Sequence, residues 1–435
     1  MFSRFSLPLV ITSLFALILA TPTPHGEVGG SRGGLRKALQ GIGVPVNNVD
    51  ATDIVANRYI VVYNDNCTDE RVEYHQSMIA TALKKRNIGK RALDGRMMSQ
   101  HISPFAIQGW RGTILDADDA MMLSIADMSD VAYIEADTQV KVNTLVSQPA
   151  ATPGLRRLSH AGADGPAAAG QGYIFDNSSG LGITAYIVDT GIRISHEEYG
   201  GRAIWGANFV NSIDTDENGH GSHVAGTVGG ATYGVAKQVQ LVAVKSLDAN
   251  GAGTNSGVIS ALNFVETNAT ARGLAGKAVM NMSIGGSKSA ALNAAVAGLT
   301  RAGVTVVVAA GNEGQDANNV SPASAPSAIT VGAVDANDAI ASFSNFGTSV
   351  DIFATGVKVQ SVGIKSDTAS TVLSGTSMAS PHVAGLAAYL MAFENITNPA
   401  DVLARMQQLA QSTGAAVVGA NSQTTTLIAY NGDGF

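Results

Sequence analysis

The chain reads GTSMASPHVAG at residues 375–385, where a serine lies between small residues just before an apolar run with helical spacing. The run continues through Val383, Leu386 and Leu390, so it predicts a serine at the N-terminus of a buried helix. Backbone N–H groups at that end of a helix lack helical partners and attract negative charge. Ser377 therefore has a hydroxyl and oxyanion donors together, as acyl transfer requires. A serine there also serves as an ordinary N-cap, so its partners decide between the two interpretations.

Three other polar residues are the partners that a nucleophilic serine needs. Asp189 follows the apolar run ITAYIV, which places an acid at the carboxyl end of a predicted strand. His220 lies in NGHGSHVAG, and Asn312 follows the apolar run VTVVVAAG. Each residue alone is compatible with an ordinary turn or loop. Together they supply a base, a group that orients the base and an amide donor, so Ser377 is interpreted as a nucleophile.

Four motifs in this chain order resemble those of the subtilisin-like serine proteases, and the similarity is closest to the proteinase K group. They are DTG at 189–191, HGSHVAG at 220–226, AAGN at 309–312 and GTSMASPHVAG at 375–385. The resemblance implies a serine endopeptidase in which Asp189, His220 and Ser377 form the catalytic triad. It also implies an oxyanion hole formed by Asn312 and the backbone N–H of Ser377.

The second part of the chain alternates between predicted strands and predicted helices. The strands are expected at 183–188, 240–245, 278–283, 304–310 and 329–333, and the helices near 222–230, 255–270, 288–302 and 376–393. This alternation predicts an α/β fold with a mostly parallel sheet and helices on both faces. It agrees with the subtilisin-like fold that the resemblance implies, and we expect the peptidase domain to occupy residues 146–435.

The first part of the chain reads as two segments that precede the enzyme. Residues 1–20 have the pattern of a signal peptide, with a basic residue, a short apolar run and a small residue at the end. Residues 21–145 are expected to be a propeptide whose folded part, about 57–142, is a small α+β domain. It resembles the inhibitory propeptides of subtilases, which implies an intramolecular chaperone and inhibitor. A separate binding domain is the alternative, and the mature N-terminus is expected near Leu145 or Val146.

Composition excludes several classes of function. Of the 435 residues, 45% are hydrophobic and 14% are charged, and the formal net charge is −7. These values indicate a globular protein with a large core. No basic patch suggests a nucleic-acid partner, and no apolar segment is long enough to predict a membrane anchor. The expected partners are protein and peptide substrates, and the expected state is a monomer.

The cysteine count bears on how the enzyme is stabilised. Cys67 is the one cysteine of the chain and lies upstream of the expected peptidase domain, so the mature enzyme is expected to lack disulfides. Val224 stands where the proteinase K group usually has a cysteine. Stability is therefore expected from core packing and from structural calcium, whose ligands by resemblance are the carbonyls of Pro326 and Ala328 and the carboxylate of Asp351. The alternative is that Asp351 caps its own loop, and no catalytic cofactor is expected.

The acidic segment DTDENG at residues 214–219 resembles the first half of a calcium-binding EF-hand loop. The twelfth position of such a loop requires a glutamate, whereas this chain has Ala225. The segment is therefore expected only to carry His220 into place.

Small residues mark the segments that are expected to bind an extended peptide. By resemblance the substrate lies between two segments of the chain and above a roomy first pocket. The expected residues are Gly251, Ala252, Gly253, Ser283, Ile284, Gly285, Gly286, Ala309, Ala310 and Gly311. These segments contain no acid, so we expect broad specificity with a preference for aromatic or large aliphatic residues at P1, the position before the scissile bond.

The leading interpretation is a secreted endopeptidase made as an autoprocessed zymogen. The sequons at Asn66, Asn177, Asn268 and Asn395 suit an exported protein, while Asn281 lies in a predicted buried strand and is expected to stay unmodified. The same enzyme located in a vacuole, rather than outside the cell, remains an alternative. A catalytically silent binding protein is the alternative from another class. A sedolisin-like enzyme is disfavoured, because it would need a Glu and Asp pair in place of the histidine.

Overall fold

The computed structural model describes residues 44–48, 51, 54–139, 145–162 and 172–433. The chain divides into two compact units, Met1–Val142 and Asn143–Phe435. The expected signal peptide, residues 1–20, lies outside the described residues, as do residues 140–142 of the expected folded part of the propeptide.

The first unit is a small α+β structure. Its elements are β1 (Ile54–Tyr63), α1 (Asp69–Arg86), β2 (Ser103–Ile107), β3 (Trp110–Asp116), α2 (Asp119–Ala126) and β4 (Val131–Thr138). The strands form one antiparallel sheet in the order β2–β3–β1–β4. Side chains of both helices, including Leu83 and Met122, pack with Val61 and Ile134 of the sheet in one buried cluster. Cys67 lies between β1 and α1 as a free thiol.

The second unit is an α/β structure. Its strands are β5 (Leu145–Gln148), β6 (Tyr173–Asp176), β7 (Thr184–Asp189), β8 (Ala203–Asn208), β9 (Gln240–Lys245), β10 (Ala278–Met282), β11 (Gly286–Ser287), β12 (Val304–Ala309), β13 (Val320–Ser321), β14 (Ile329–Val334), β15 (Ile352–Thr355), β16 (Val359–Val362) and β17 (Ser370–Leu373). Its α-helices are α3 (Pro153–Leu158), α4 (His220–Gly229), α5 (Asn255–Ala271), α6 (Ala290–Arg301), α7 (Thr376–Phe393) and α8 (Pro399–Ser412). Seven strands form a parallel sheet in the order β15–β14–β12–β10–β7–β9–β8.

Both faces of the parallel sheet are covered by helices. Successive side chains of a strand point to opposite faces, and β7 shows this directly. Ile187 packs into a cluster that contains residues of α4 and α7. Tyr186 and Val188 pack into a second cluster with residues of α5 and α6. Because both faces are buried, the central strands read as continuous apolar runs, and the predicted α/β fold is confirmed.

The carboxyl ends of three adjacent strands bring the predicted site residues to one edge of the sheet. Asp189 is the last residue of β7, and Ser283 directly follows β10. Asn312 lies three residues after the end of β12. Ligands of open α/β sheets bind at this edge, so the topology itself indicates where the chemistry occurs. Among the helices in the described ranges, none has the length and hydropathy that crossing a membrane requires.

Candidate active site

A buried carboxylate holds the imidazole of His220. The side chain of Asp189 is fully buried, and its Oδ1 and Oδ2 lie 2.8 and 3.0 Å from His220 Nδ1. The backbone N–H of Thr190 also donates to Asp189 Oδ1, at 2.7 Å. Because a carboxylate only accepts hydrogen bonds, Nδ1 carries the proton and Nε2 of the neutral ring is free to accept one.

The environment of His220 raises the pKa of its imidazole. Burial alone would lower this pKa, but the negative charge of Asp189 and its hydrogen bond more than offset burial, and Asp216 adds to the effect. The same surroundings that raise the pKa of the imidazole stabilise the cation that the ring becomes when it removes a proton from a hydroxyl. The arrangement therefore suits a general base that works above the ordinary titration range of histidine.

Asp216 holds the loop that carries His220, and sequence reasoning assigned this residue no role of its own. Its Oδ1 accepts hydrogen bonds from Thr190 Oγ1 at 2.8 Å and from Gly219 N at 2.8 Å. Its Oδ2 accepts from the backbone N–H and the hydroxyl of Ser222 at 2.9 and 2.6 Å. One buried carboxylate thus joins the turn after β7 to the first turn of α4. The expectation that the loop carries His220 agrees with this geometry.

Ser377 lies in the first turn of α7, as the motif predicts. Its Oγ donates to the carbonyl oxygen of Ser283 at 3.1 Å. Within the described residues no hydrogen bond joins Ser377 Oγ to His220. The hydroxyl is instead bonded to the residue that follows β10. Catalytic hydrogen bonds of free enzymes are often formed only when substrate binds, and a rotation about the Cα–Cβ bond redirects Oγ.

The amide of Asn312 has one orientation that satisfies its neighbours. Its Oδ1 accepts hydrogen bonds from the backbone N–H and the hydroxyl of Thr376 at 2.8 and 3.0 Å. A backbone N–H only donates, so the oxygen must face Thr376 and the NH₂ group faces the other way. Asn312 Nδ2 and Ser377 N both lie 3.6 Å from the position that a β-carbon on Gly375 would occupy. The two predicted oxyanion donors are therefore neighbours, and Thr376 is a positioning residue that the sequence did not reveal.

A cleft of about 490 Å³ opens beside His220. Seven of the ten predicted substrate residues line it, namely Gly251, Ala252, Gly253, Ser283, Ile284, Gly285 and Gly286. The other three, Ala309, Ala310 and Gly311, do not line this cavity; both alanines are buried, and Gly311 N donates to Thr376 Oγ1. Added β-carbons at Gly285 and Gly286 would meet nothing within 4 Å, so a peptide backbone has open access there. Among the described residues that line the cleft, none is Asp, Glu, Lys or Arg.

The predicted calcium ligands lie around the start of β14. Asp351 exchanges two hydrogen bonds with Thr330, because its Oδ2 accepts from Thr330 N at 2.8 Å and its N–H donates to Thr330 O at 2.9 Å. Burial raises the pKa of this carboxyl to about 6, so the site penalises an uncompensated charge. Ala328 is buried and Pro326 is exposed. A donor set of one carboxylate and two carbonyls is all oxygen and fits a hard cation.

The chain is similar to known serine proteases. Residues 180–427 match the model of the subtilase family. The subtilisin-like protease 2 of Pseudogymnoascus destructans is 46% identical over 390 residues, which cover 89% of this chain and 92% of that protein. A cuticle-degrading serine protease of Arthrobotrys oligospora is 45% identical over 398 residues, covering 89% of this chain and 93% of that protein.

A solved structure extends the likeness to three dimensions. The crystal structure of a cold-adapted subtilisin-like serine proteinase superposes with a TM-score of 0.59 at 42% sequence identity. It covers 65% of this chain and 98% of that chain. The family match spans more than half of the chain, and the relatives are similar over nearly their whole length. With a parallel sheet that carries an acid, a histidine and a serine to one edge, the chain belongs to the subtilase family of serine proteases.

Proposed function

We propose that this subtilase is a secreted serine endopeptidase in which Asp189, His220 and Ser377 act as the triad. The observation that carries the proposal is the 2.8 Å contact between His220 Nδ1 and the fully buried Asp189. It fixes the tautomer of a histidine that lines the cleft, and Ser377 is hydrogen-bonded to Ser283, another residue of the cleft lining. Perturbed pKa values like that of His220 cluster at catalytic sites, which favours an enzyme over a binding protein.

The reaction follows from the roles of these groups. Ser377 Oγ leaves Ser283 O, gives its proton to His220 Nε2 and attacks the peptide carbonyl carbon. The carbonyl oxygen becomes an oxyanion that accepts hydrogen bonds from Asn312 Nδ2 and Ser377 N. The imidazolium then protonates the leaving amine, and the C–N bond breaks to give an acyl-enzyme. Water gives a proton to His220 and attacks the ester carbon, the bond between that carbon and Ser377 Oγ breaks to release the carboxylic acid product, and Oγ takes its proton back from His220.

The cleft supports a preference for uncharged side chains at P1. An extended peptide would lie along the glycine-rich segments and form main-chain hydrogen bonds with them. No carboxylate of the cleft lining is available to pair with a lysine or arginine side chain. We therefore propose broad specificity with aromatic or large aliphatic residues at P1. A library of peptides that varies only P1 tests this, and a dominant preference for Lys or Arg would contradict it.

The first unit is proposed to be a propeptide that assists folding, inhibits the enzyme and is then removed. Its α+β core is separate from the core of the second unit, as a removable segment requires. Secretion is proposed from the pattern of residues 1–20, and a relative is named as cuticle-degrading, which is an extracellular task. A vacuolar address is the alternative, and the two are separated by assaying the culture medium against the cell contents.

Calcium is proposed as a structural ion held by the carbonyls of Pro326 and Ala328 and the carboxylate of Asp351. When bound, the ion would offset the buried negative charge of Asp351 and join the loop before β14 to the start of β15. It would take no part in peptide hydrolysis, for which no cofactor is proposed. These residues lie outside the cleft, so their effect would be on stability.

The decisive experiment compares the full precursor with its Ser377→Ala variant. Both are followed by mass and by hydrolysis of a chromogenic peptide with an aromatic P1 residue. We expect the unaltered chain to shorten by a cut near Leu145 or Val146 and to become active, while the variant stays long and inactive. Equal shortening of both chains would show that another protease processes the precursor. If the unaltered chain shortens but does not hydrolyse the peptide, a catalytically silent binding protein becomes the better interpretation.

A further inference from the structure

A proline disrupts the helix that carries the nucleophile. In an α-helix each N–H donates to the carbonyl four residues earlier. Pro381 lies inside α7 and has no N–H, so the carbonyl of Ser377 lacks its helical donor. That carbonyl belongs to the residue whose Oγ is proposed to attack the substrate. Ser377 is half-buried, and a carbonyl that is shielded from water and has no donor is costly, so another group is expected to supply the hydrogen bond.

The missing donor is the hydroxyl of Ser283. Ser283 Oγ donates to Ser377 O at 2.9 Å, while Ser377 Oγ donates to Ser283 O at 3.1 Å. The two serines therefore form a reciprocal pair that joins the end of β10 to the first turn of α7. This pair fixes both the backbone and the resting side chain of the nucleophile.

Two further buried side chains determine where the proton of Ser283 points. Asn281 Nδ2 donates to Ser283 Oγ at 2.9 Å, and Ser380 Oγ donates to Asn281 Oδ1 at 2.7 Å. Asn281 and Ser380 are fully buried. A hydroxyl has a single proton, so Ser283 can donate to Ser377 O only while the amide of Asn281 faces it with nitrogen. If the amide turned over, its oxygen would accept that proton and Ser377 O would lose its donor.

We propose that Ser380, Asn281 and Ser283 are positioning residues that hold the nucleophile through this directed chain of hydrogen bonds. The proposal rests on the role assigned to Ser377 above. It gives a function to the buried sequon at Asn281, whose amide is occupied on both sides and is closed to a glycan. It also explains how a proline is tolerated four residues after the nucleophile, since a side chain replaces the missing backbone donor.

The test uses Ser380→Ala, because this residue does not line the cleft. Without the Ser380 hydroxyl, Asn281 Oδ1 is a buried acceptor with no donor, and turning the amide over lets it take the proton of Ser283. Ser377 O then loses its donor and the first turn of α7 shifts. A shift of this kind in a reacting group is expected to lower kcat by about 10- to 100-fold, with KM within about twofold.

Ser159→Ala is the matched control. Ser159 is also fully buried, and its hydroxyl is likewise hydrogen-bonded, to Ile174 N at 3.1 Å, Arg156 O at 3.4 Å and His160 Nδ1 at 3.2 Å. It touches neither the chain of hydrogen bonds nor the cleft, so its loss should lower the melting temperature and leave kcat unchanged. Equal kcat values for Ser380→Ala and Ser159→Ala would overturn the proposal.

A second variant keeps the proposal testable if Ser380→Ala folds poorly. Asn281→Asp is isosteric, but a carboxylate accepts from both serine hydroxyls and so withdraws the proton from Ser377 O. We expect a larger loss of kcat than for Ser380→Ala, again with little change in KM. Unaltered protein and Ser377→Ala are measured in parallel. Full activity of Ser377→Ala would refute the assignment of the nucleophile, whereas an inactive Ser377→Ala beside a fully active Asn281→Asp would refute the hydrogen-bonded chain alone.

Discussion

At the scale of single residues, Asp216 and Thr376 hold the proposed catalytic groups in place through hydrogen bonds to other parts of the chain. Asp189, His220 and Asn312 were predicted because their motifs are local: Asp189 and Asn312 follow apolar runs, and an apolar run follows His220. Asp216 accepts a hydrogen bond from Thr190, which lies in another segment of the chain. Thr376 donates to Asn312 and accepts from Gly311, which lie more than 60 residues earlier. Nothing in their own neighbourhood distinguishes an aspartate that joins two loops from one that faces solvent, so only the fold reveals these roles.

The oxyanion hole gives the first prediction. Asn312→Ala should lower kcat by about 10²–10³-fold, as removal of the corresponding asparagine does in subtilisin. Thr376→Val removes the hydroxyl that donates to Asn312 Oδ1 and accepts from Gly311 N, so the amide loses part of its orientation. We expect kcat to fall by about tenfold with KM nearly unchanged. Thr376→Ser keeps the hydroxyl and is the control; equal losses in both Thr376 variants would mean that the methyl group matters instead.

The pH dependence of hydrolysis gives the second prediction. His220 must be neutral to accept a proton, and its pKa is raised, so kcat/KM should rise with pH through a midpoint above the ordinary value of about 6.5. Asp216 contributes to that rise, so Asp216→Asn should move the midpoint to lower pH. Asp214→Asn alters an exposed carboxylate of the same loop and should leave the midpoint in place. An unmoved midpoint in Asp216→Asn would show that this residue acts only on the loop.

At the scale of elements, five central strands and the helices α4, α5, α6 and α7 were predicted within about two residues, whereas the 14-residue helix α8 was not predicted. Continuous apolar runs mark strands that are buried on both faces, and helical spacing marks α5, α6 and α7. The edge strands β8 and β15 were not predicted. β8 carries a half-exposed mixture of side chains, and β15 has four residues, so neither has a periodic pattern long enough to read.

The contact between α4 and the turn after β7 gives a prediction at this scale. A β-carbon on Gly221 would overlap the carbonyl oxygen of Gly191, so α4 can approach the turn only because residue 221 lacks a side chain. Gly221→Ala should push His220 away from Asp189 and lower both kcat and the melting temperature. Gly298→Ala, in α6, has no atom within 3.4 Å of the new methyl group. It should be neutral or stabilising by about 0.5–1 kcal/mol, which denaturant unfolding would measure.

At the scale of the whole molecule, two buried histidines connect stability to pH. Desolvation lowers the pKa of His382 to about 4. Desolvation, with the nearby charges of His220 and His382, lowers the pKa of His223 to about 4. Unfolded histidine titrates near about 6.5, so the unfolded chain takes up protons first as the pH falls. The free energy of unfolding should therefore be highest above pH ~6.5. It should decrease as the pH falls from there to ~4, by about 3 kcal/mol for each of the two histidines.

Denaturant unfolding of the inactive Ser377→Ala chain at pH 7 and pH 5 measures this loss without self-digestion. His382→Asn supplies an amide donor in place of the ring Nδ1, which bonds to Met378 O at 2.8 Å. Because asparagine does not ionise, this variant should lose less free energy of unfolding between the two pH values. The same dependence in both chains would mean that other groups cause the acid lability.

Removal of calcium gives the last prediction. A chelator should lower the melting temperature, because an ion that binds the folded state alone stabilises it by mass action. Asp351→Asn keeps the size of the side chain and removes its charge, so its melting temperature should respond little to chelator. Equal responses of the two proteins would place the ion elsewhere.

The position of the single cysteine has a practical consequence. Cys67 belongs to the first unit, so the second unit contains no thiol. A cysteine introduced at any exposed position of residues 143–435 would be the one reactive sulfur of that unit. Fluorescent or spin labels could then be attached at single sites along the cleft, and refolding could be followed without regard to redox conditions.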